Sequence, residues 1–454
     1  MVTRPAQDAT SDELRDWDRR YFWHPFTQMA EYEPTIFVSG EGCWLTDVDG
    51  RRYLDGVSSL WCNVHGHRHP SLDAALRQQL DQVAHTTTLG ASNPPAIHLA
   101  KRLCEIAPSG LEHAFFSDNG ATAVEVALKM AFQYWQQCDE PRPEKIRYMA
   151  LTEAYHGDTV GSVSVGGVPL FHRIFRPLLF DVIRVPGPDL YRLPDGVALE
   201  HACAHYLGQL EQLLAAHHHE VAALVMEPLV QGAAGMMVHP EGYLRGVREL
   251  TRRYQVLLIA DEVAVGMGRT GKMFACQHEG VSPDFLCLAK GITGGYLPLA
   301  ATLATDEVFR AFLGPYESAR TFFHGHTYGG NPLAAAVALA NLDLFESDRI
   351  LEQLQPKIAH LTRRLSELRD LPHVGDIRQR GFMAGIELVQ DRVTRQPYEW
   401  GQQIGHQVCR AARDRNVWLR PLGNVVVVMP PLAISIEELD LLVDAIRYGI
   451  QTAT

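Results

Sequence analysis

The chain has 454 residues, 46% of them hydrophobic and 21% charged, a composition that excludes wholesale disorder. The length gives room for about two to four domains around a large buried core. With 41 Lys and Arg against 53 Asp and Glu, the formal net charge of −12 disfavours non-specific binding to nucleic acid or anionic membranes.

From the amino end, the first twenty residues are polar and charged and contain no apolar stretch of the kind that opens a secretory signal, so a cytoplasmic protein is expected. Glycines around Gly40–Gly42 and Asp47–Gly50 predict hairpin turns in an N-terminal segment, residues 1–70, that joins a small domain. His65, His67 and His69 alternate beside Cys62; metal ligation is one reading, but Pro70 follows and no carboxylate is interleaved, which favours a polar loop. The eight cysteines show no CxxC pair and are expected to be reduced, mostly buried small hydrophobes.

The middle of the chain, residues 71–340, alternates short apolar runs with helical patterns. His113–Phe116 precedes a helix over about Ala121–Trp135, and Ile146–Leu151, Val221–Met226, Val256–Ala260 and Phe285–Leu288 are further strand-like runs. Leu207–Ala216 and Leu244–Tyr254 are helical between them. Such alternation predicts an α/β fold with a mainly parallel sheet covered on both faces, its ligands beyond the carboxyl ends of the strands. Residues 341–454 change character: long amphipathic helices over Ala334–Phe345 and Ile350–Leu368 lead into a smaller α+β domain. Its expected strands are Met383–Leu388, Val417–Leu419 and Val425–Met429, with helices Gln402–Arg415 and Ile436–Gln451. No apolar run is long enough to span a bilayer; the best, Val425–Met429, is closed by Pro430 and Pro431.

Charged residues stand where strands end. Glu227 follows VAALVM, Asp261 and Glu262 follow VLLIA, and Lys290 follows DFLCLA. Charges just past buried strands are costly unless they pair or bind something, although a lone carboxylate there also serves as a helix cap. Ser117–Ala121 (SDNGA) opens a helix, where free N–H groups and the helix dipole favour an anion such as phosphate; an ordinary capped turn is the alternative. Tyr155-His156-Gly157-Asp158 offers a loop aromatic that can stack on a flat ring. His324–Pro332 is unusually rich in glycine and polar groups for a linker. Gly266–Lys272 (GMGRTGK) matches the GxxxxGK core of a nucleotide-binding loop, but Met273 replaces the Ser or Thr that holds magnesium and no good long helix follows.

Taken together, these segments resemble a class III, fold-type I pyridoxal-phosphate aminotransferase, most specifically through LLIADEVAVGMGRTGKMFACQHEGVSPDFLCLAKGITGG at Leu257–Gly295. YFWHPFTQM (Tyr21–Met29), SSLWCNVHGHRHP (Ser58–Pro70), YHGDT (Tyr155–Thr159) and WLRPLGN (Trp418–Asn424) are similar to the members of that family that act in biotin synthesis. The resemblance implies a mainly parallel seven-stranded sheet in a large cofactor domain, a smaller domain, and a homodimer with active sites at its interface. It implies Lys290 as the Schiff-base lysine and proton carrier, and Asp261 as partner of the cofactor's ring nitrogen. Gly120 and Ala121 would bind the phosphate, with Thr327 and the backbone near His326 reaching it from the neighbouring subunit. Tyr155 and Val263 would lie on the two faces of the ring. Arg420 would pair with a substrate carboxylate, for which its planar fork is suited, and Phe26, Leu60, Trp61 and Gly325 would line the substrate channel. The implied acceptor is 8-amino-7-oxononanoate and the implied donor S-adenosylmethionine. Many members that use this donor have tyrosine where Phe26 stands and tryptophan where Leu60 stands, so lysine is the alternative donor. Other class III ω-amino acid or amine transaminases, a nucleotide-binding protein using GMGRTGK, and a non-enzymatic interaction protein are the remaining alternatives.

Overall fold

The structure, a computed structural model, describes residues 9–454; the first eight residues of the stretch expected to lack an export signal lie outside it. Seven strands form the central sheet: β1 (Leu111–Ser117), β2 (Arg147–Leu151), β3 (Val182–Val185), β4 (Val221–Met226), β5 (Leu257–Asp261), β6 (Phe285–Leu288) and β7 (Ala300–Thr305). Their order is β1-β7-β6-β5-β4-β2-β3. The ladders from β6 through β3 are parallel, whereas β7 runs antiparallel to both β6 and β1. The mainly parallel sheet expected from the alternation is therefore present, with β3 and β7 as strands the apolar pattern did not reveal.

Successive residues of β5 divide between two cores, because side chains alternate across a strand. Leu257 and Ile259 pack toward the helix Gly120–Gln137, with Ala123, Ala127 and Phe285. Leu258 and Ala260 join the other core, to which the helices Ala202–His217 and Tyr243–Arg253 contribute Leu210, Leu214, Leu244 and Val247. Burial on both faces is why these strands are continuous apolar runs. The carboxyl ends of β4, β5 and β6 all emerge on one side, which fixes the position of Glu227, Asp261 and Lys290.

The C-terminal region has an antiparallel sheet in which Val374–Arg380, Met383–Asp391, Val425–Val428 and Pro421–Leu422 pair in that order. The N-terminal hairpins fall at Phe37–Glu41, Trp44–Asp47 and Arg52–Asp55, and the last strand pairs in parallel with Val417–Trp418. Trp44 Nε1 also donates to Glu438 Oε1 at 2.7 Å. The expected division at residue 340 falls inside the continuous helix Pro332–Ser347. All eight cysteines are unpaired. Among the described residues no helix is long and apolar enough to cross a membrane.

Candidate active site

The strand ends open into a cavity of about 870 Å³. Ten of the residues singled out in the sequence line it: Gly120, Ala121, Tyr155, Asp261, Val263, Lys290, Phe26, Leu60, Trp61 and Arg420. Gly325, His326 and Thr327 do not; they lie on a partly exposed loop where His326 Nδ1 is 2.7 Å from Asp118 Oδ2.

Lys290 follows β6 in a left-handed conformation, φ 47°, which few non-glycine residues adopt and which is often found at functional sites. Among the described residues its Nζ has no hydrogen-bond partner and lies 5.0 Å from the Trp61 ring centroid. Burial lowers its pKa from the usual 10.5, while the nearby Asp261 and Glu227 charges oppose that shift. The amine is thereby biased toward its neutral, nucleophilic form.

Asp261 ends β5, only 4% exposed. Its Oδ1 accepts the Val263 N–H at 3.0 Å and its Oδ2 is 2.7 Å from His156 Nδ1. His156 Nε2 is buried without a partner among the described residues, so Nδ1 is the ring nitrogen that meets the carboxylate. Sequence reasoning placed His156 in a motif but gave it no role.

Glu227 ends β4. Its two oxygens accept the N–H groups of Tyr155 and Gly232 at 3.1 and 2.8 Å, tying two cavity loops to the sheet. Burial pushes its carboxyl up to about 7, opposed by His156. The Tyr155 hydroxyl donates to Asp158 Oδ2 at 2.7 Å, and burial, followed by Asp158, raises the phenol further above its usual range. Tyr155 is thus a protonated ring held in place, beside Phe171, which itself meets Phe26 edge-on at 5.3 Å. Phe171 carried no sequence signal, being one apolar residue of a short helix, Pro169–His172.

The loop before Gly120 makes a capped helix start. The Asn119 side chain accepts the Thr122 N–H, and Thr122 Oγ1 accepts the Asn119 N–H, both at 3.1 Å. The N–H groups of Gly120 and Ala121 precede the first intrahelical bond, at a helix start that lines the cavity and would favour an anion. A Cβ on Gly120 would meet Val263 Cγ1 at 2.6 Å, so only glycine lets the two segments approach this closely. Across the cavity, Arg420 sits between Val417–Trp418 and Pro421–Leu422, with no carboxylate partner among the described residues.

A helix start with N–H groups free of intrahelical bonds, a lysine of lowered pKa and a buried carboxylate within one cavity suit a phosphorylated, ring-nitrogen cofactor that bonds an amine. Residues 27–450 match the family model for aminotransferase class-III. The chain belongs to that family. It is 57% identical over 451 residues to the adenosylmethionine-8-amino-7-oxononanoate aminotransferase of Geobacter sulfurreducens, covering 98% of this chain and 99% of the relative. The crystal structure of the enzyme so named from Methanocaldococcus jannaschii superposes with a TM-score of 0.91 at 43% identity, over 97% of this chain and 99% of that one. An amine transaminase from an uncultivated Pseudomonas species, in its PLP-bound form, gives 0.92 at 38% identity over 96% and 99%. The cofactor of this class-III aminotransferase is pyridoxal 5′-phosphate, and the residues of the cavity fit it.

The other sequence candidates have ordinary partners. His65 Nε2 is 2.8 Å from Asn341 Oδ1, His67 Nε2 is 2.9 Å from Asp55 Oδ2, and His69 caps the helix Pro70–Leu80. The three rings thus serve separate contacts. Gly266–Lys272 is a run of turns followed by the short 3₁₀ helix Ala275–His278, not the strand–loop–helix unit that cradles a nucleotide.

Proposed function

We propose that this protein is the biotin-pathway transaminase that converts 8-amino-7-oxononanoate to 7,8-diaminononanoate, as a cytoplasmic homodimer. The observation that carries the reading is the placement of Lys290, Asp261, the Gly120 helix start and an unpaired Arg420 on one cavity. The names of relatives more than half identical along nearly the whole chain support the acceptor. The unpaired cysteines suit a reducing compartment.

Pyridoxal phosphate, when bound, supplies the electron sink that makes a proton on the amine-bearing carbon removable. In this proposal Gly120 and Ala121 hold its phosphate, Asp261 its ring nitrogen, and Tyr155 and Val263 its faces. Thr327 and the backbone near His326 reach the phosphate from the partner copy, where Gly325 lines the substrate channel. Lys290 Nζ would be the amine that bonds the cofactor and, when free, the group that would carry a proton between neighbouring carbons. Asp261 keeps the ring nitrogen protonated, with His156 and the Val263 N–H holding its carboxylate in register. Arg420 takes the substrate carboxylate. Phe26, Leu60 and Trp61 exclude water along an apolar chain. The same proposal divides the chain into an N-terminal segment, 1–70, associated with a small domain, 341–454, and a cofactor domain, 71–340.

S-adenosylmethionine is the proposed donor, in line with the relatives' names; Phe26 and Leu60 keep lysine as the second candidate. The test is the visible spectrum of the enzyme with pyridoxal phosphate before and after 7,8-diaminononanoate, repeated with S-adenosylmethionine and with lysine. Conversion of the band to the amine form by the diamine and by one donor is expected. A band that ignores the diamine but responds to simple amines would assign the chain to the amine transaminases instead.

A further inference from the structure

Two sequence features outside the proposed chemistry, the alternating histidines and GMGRTGK, converge on one turn in the cavity wall. Ser58, Ser59 and Trp61 all have left-handed backbones, with φ of 53°, 62° and 64°. Three non-glycine residues in that region within four positions persist only where the surroundings over-determine them. The surroundings are visible. Asp55 is completely buried; its Oδ1 accepts the Val57 N–H at 3.2 Å and its Oδ2 the Ser59 N–H at 2.7 Å. His67 Nε2 meets the same Oδ2 at 2.9 Å, and its Nδ1 faces Asn63 Nδ2 at 3.4 Å. Ser58 Oγ donates to the Met429 carbonyl at 2.5 Å. From the glycine-rich motif, the buried Arg269 donates to the carbonyls of Asn63 and Pro430, both at 2.6 Å. The turn is thereby clamped between the large region and the C-terminal sheet, and it presents Leu60 and Trp61 to the cavity, Trp61 beneath Lys290.

We propose that Asp55 and His67, braced by Arg269, are positioning residues: they hold the strained Ser58–Trp61 turn and so set how tightly the cavity takes its amino-group acceptor. The substrate half of this inference rests on the function proposed above; the positioning half does not. Removing the His67 ring leaves the Asp55 carboxylate buried with backbone donors alone, and the turn is free to relax toward ordinary φ values.

The test compares the full-length holoenzyme with its His67→Ala and His67→Gln variants, using Trp61→Phe to isolate the Trp61 emission by difference. In His67→Ala the Trp61 emission is expected to shift to the red as the ring becomes hydrated. The KM for 8-amino-7-oxononanoate is expected to rise roughly ten- to hundredfold, as for a misplaced substrate wall, with kcat changed less than about threefold. His67→Gln, whose amide can still donate to Asp55, should restore both. Unchanged Trp61 emission and unchanged KM would overturn the proposal. So would an equal loss of thermal stability and cofactor retention in both variants, the mark of a merely structural residue. A wild-type enzyme that does not turn over the keto acid would overturn the functional reading instead, while the Trp61 emission still decides the positioning role.

Discussion

Two lysines pack against tryptophan rings at opposite ends of the central sheet, Lys145 buried and Lys290 half-buried, and they are kept there by different means. At the amino ends, Lys145 is 1% exposed, with Nζ 4.7 Å from the Trp135 ring centroid. It donates to the carbonyls of His218, Val221 and Gln255, at 2.5, 3.0 and 2.9 Å, stitching the starts of β4 and β5 together. At the carboxyl ends, Lys290 has the same ring contact, at 5.0 Å, and no hydrogen bond among the described residues. Burial lowers the pKa of both, that of Lys145 to about 8. An ammonium with three donors satisfied is a fastening; an amine left unsatisfied beside a carboxylate has bonding capacity held for another molecule. Residue type, the ring contact and a lowered pKa are common to both sites, so hydrogen bonding is what separates structure from chemistry.

Exchanging the two lysines for alanine should separate the two roles. Lys290→Ala is expected to lower kcat by about 10³-fold or more, the scale of losing covalent and acid–base catalysis, with little change in melting temperature. Lys145→Ala should do the reverse. Three carbonyls lose their donor at ~1 kcal/mol each, a destabilisation of about 3 kcal/mol in denaturant melts, with kcat nearly unchanged in the folded fraction. Comparable activity losses in both variants would erase the distinction.

Arg420 extends the comparison, as a second cavity cation with no carboxylate partner among the described residues, proposed above to take that of the substrate. Arg420→Ala should cost about 2 kcal/mol in substrate binding, read as a rise of roughly 30-fold in KM for the keto acid at nearly constant kcat. Arg420→Lys should recover only part, because a point charge replaces a bidentate fork. The smallest effect is one of pH. Only the unprotonated Lys290 amine attacks, and burial holds its pKa below 10.5, so capture of pyridoxal phosphate by the apoenzyme should rise with pH and level off before 10.5. A rate still climbing to 10.5 in stopped-flow absorbance would show an amine no different from a solvated one.

The features that the sequence revealed were those written in contiguous residues. β4 and β6 are unbroken apolar runs with a charge just beyond, because both faces are covered and the next residue reaches the cavity. β3 escaped notice because it is a four-residue edge strand whose residues alternate between half-buried and buried. β7 escaped because AATLAT is small and only mildly apolar; Thr302 Oγ1 donates to the Ala123 carbonyl of the helix above it at 2.8 Å, an approach larger side chains would block. Pairs distant in sequence were equally silent. His156 and Asp261 are 105 positions apart, and nothing at either position signals the other. GMGRTGK matches a nucleotide motif only in its glycines and lysine; the glycines here serve tight turns around the buried Arg269, as the Met273 mismatch suggested. The family resemblance assigned roles that spacing alone left open, among them that of Arg420, whose place in the cavity wall depends on the C-terminal sheet.

The central claim is that the cavity lysine without a hydrogen-bond partner among the described residues, Lys290, is the one that bonds the cofactor. The direct measurement is borohydride reduction of the pyridoxal-phosphate-loaded enzyme followed by peptide mass spectrometry. The account predicts the added mass of the reduced cofactor on the peptide containing Lys290 and none on the peptide containing Lys145. Label on another lysine, or a stably bound cofactor with no covalent label on Lys290, would contradict it.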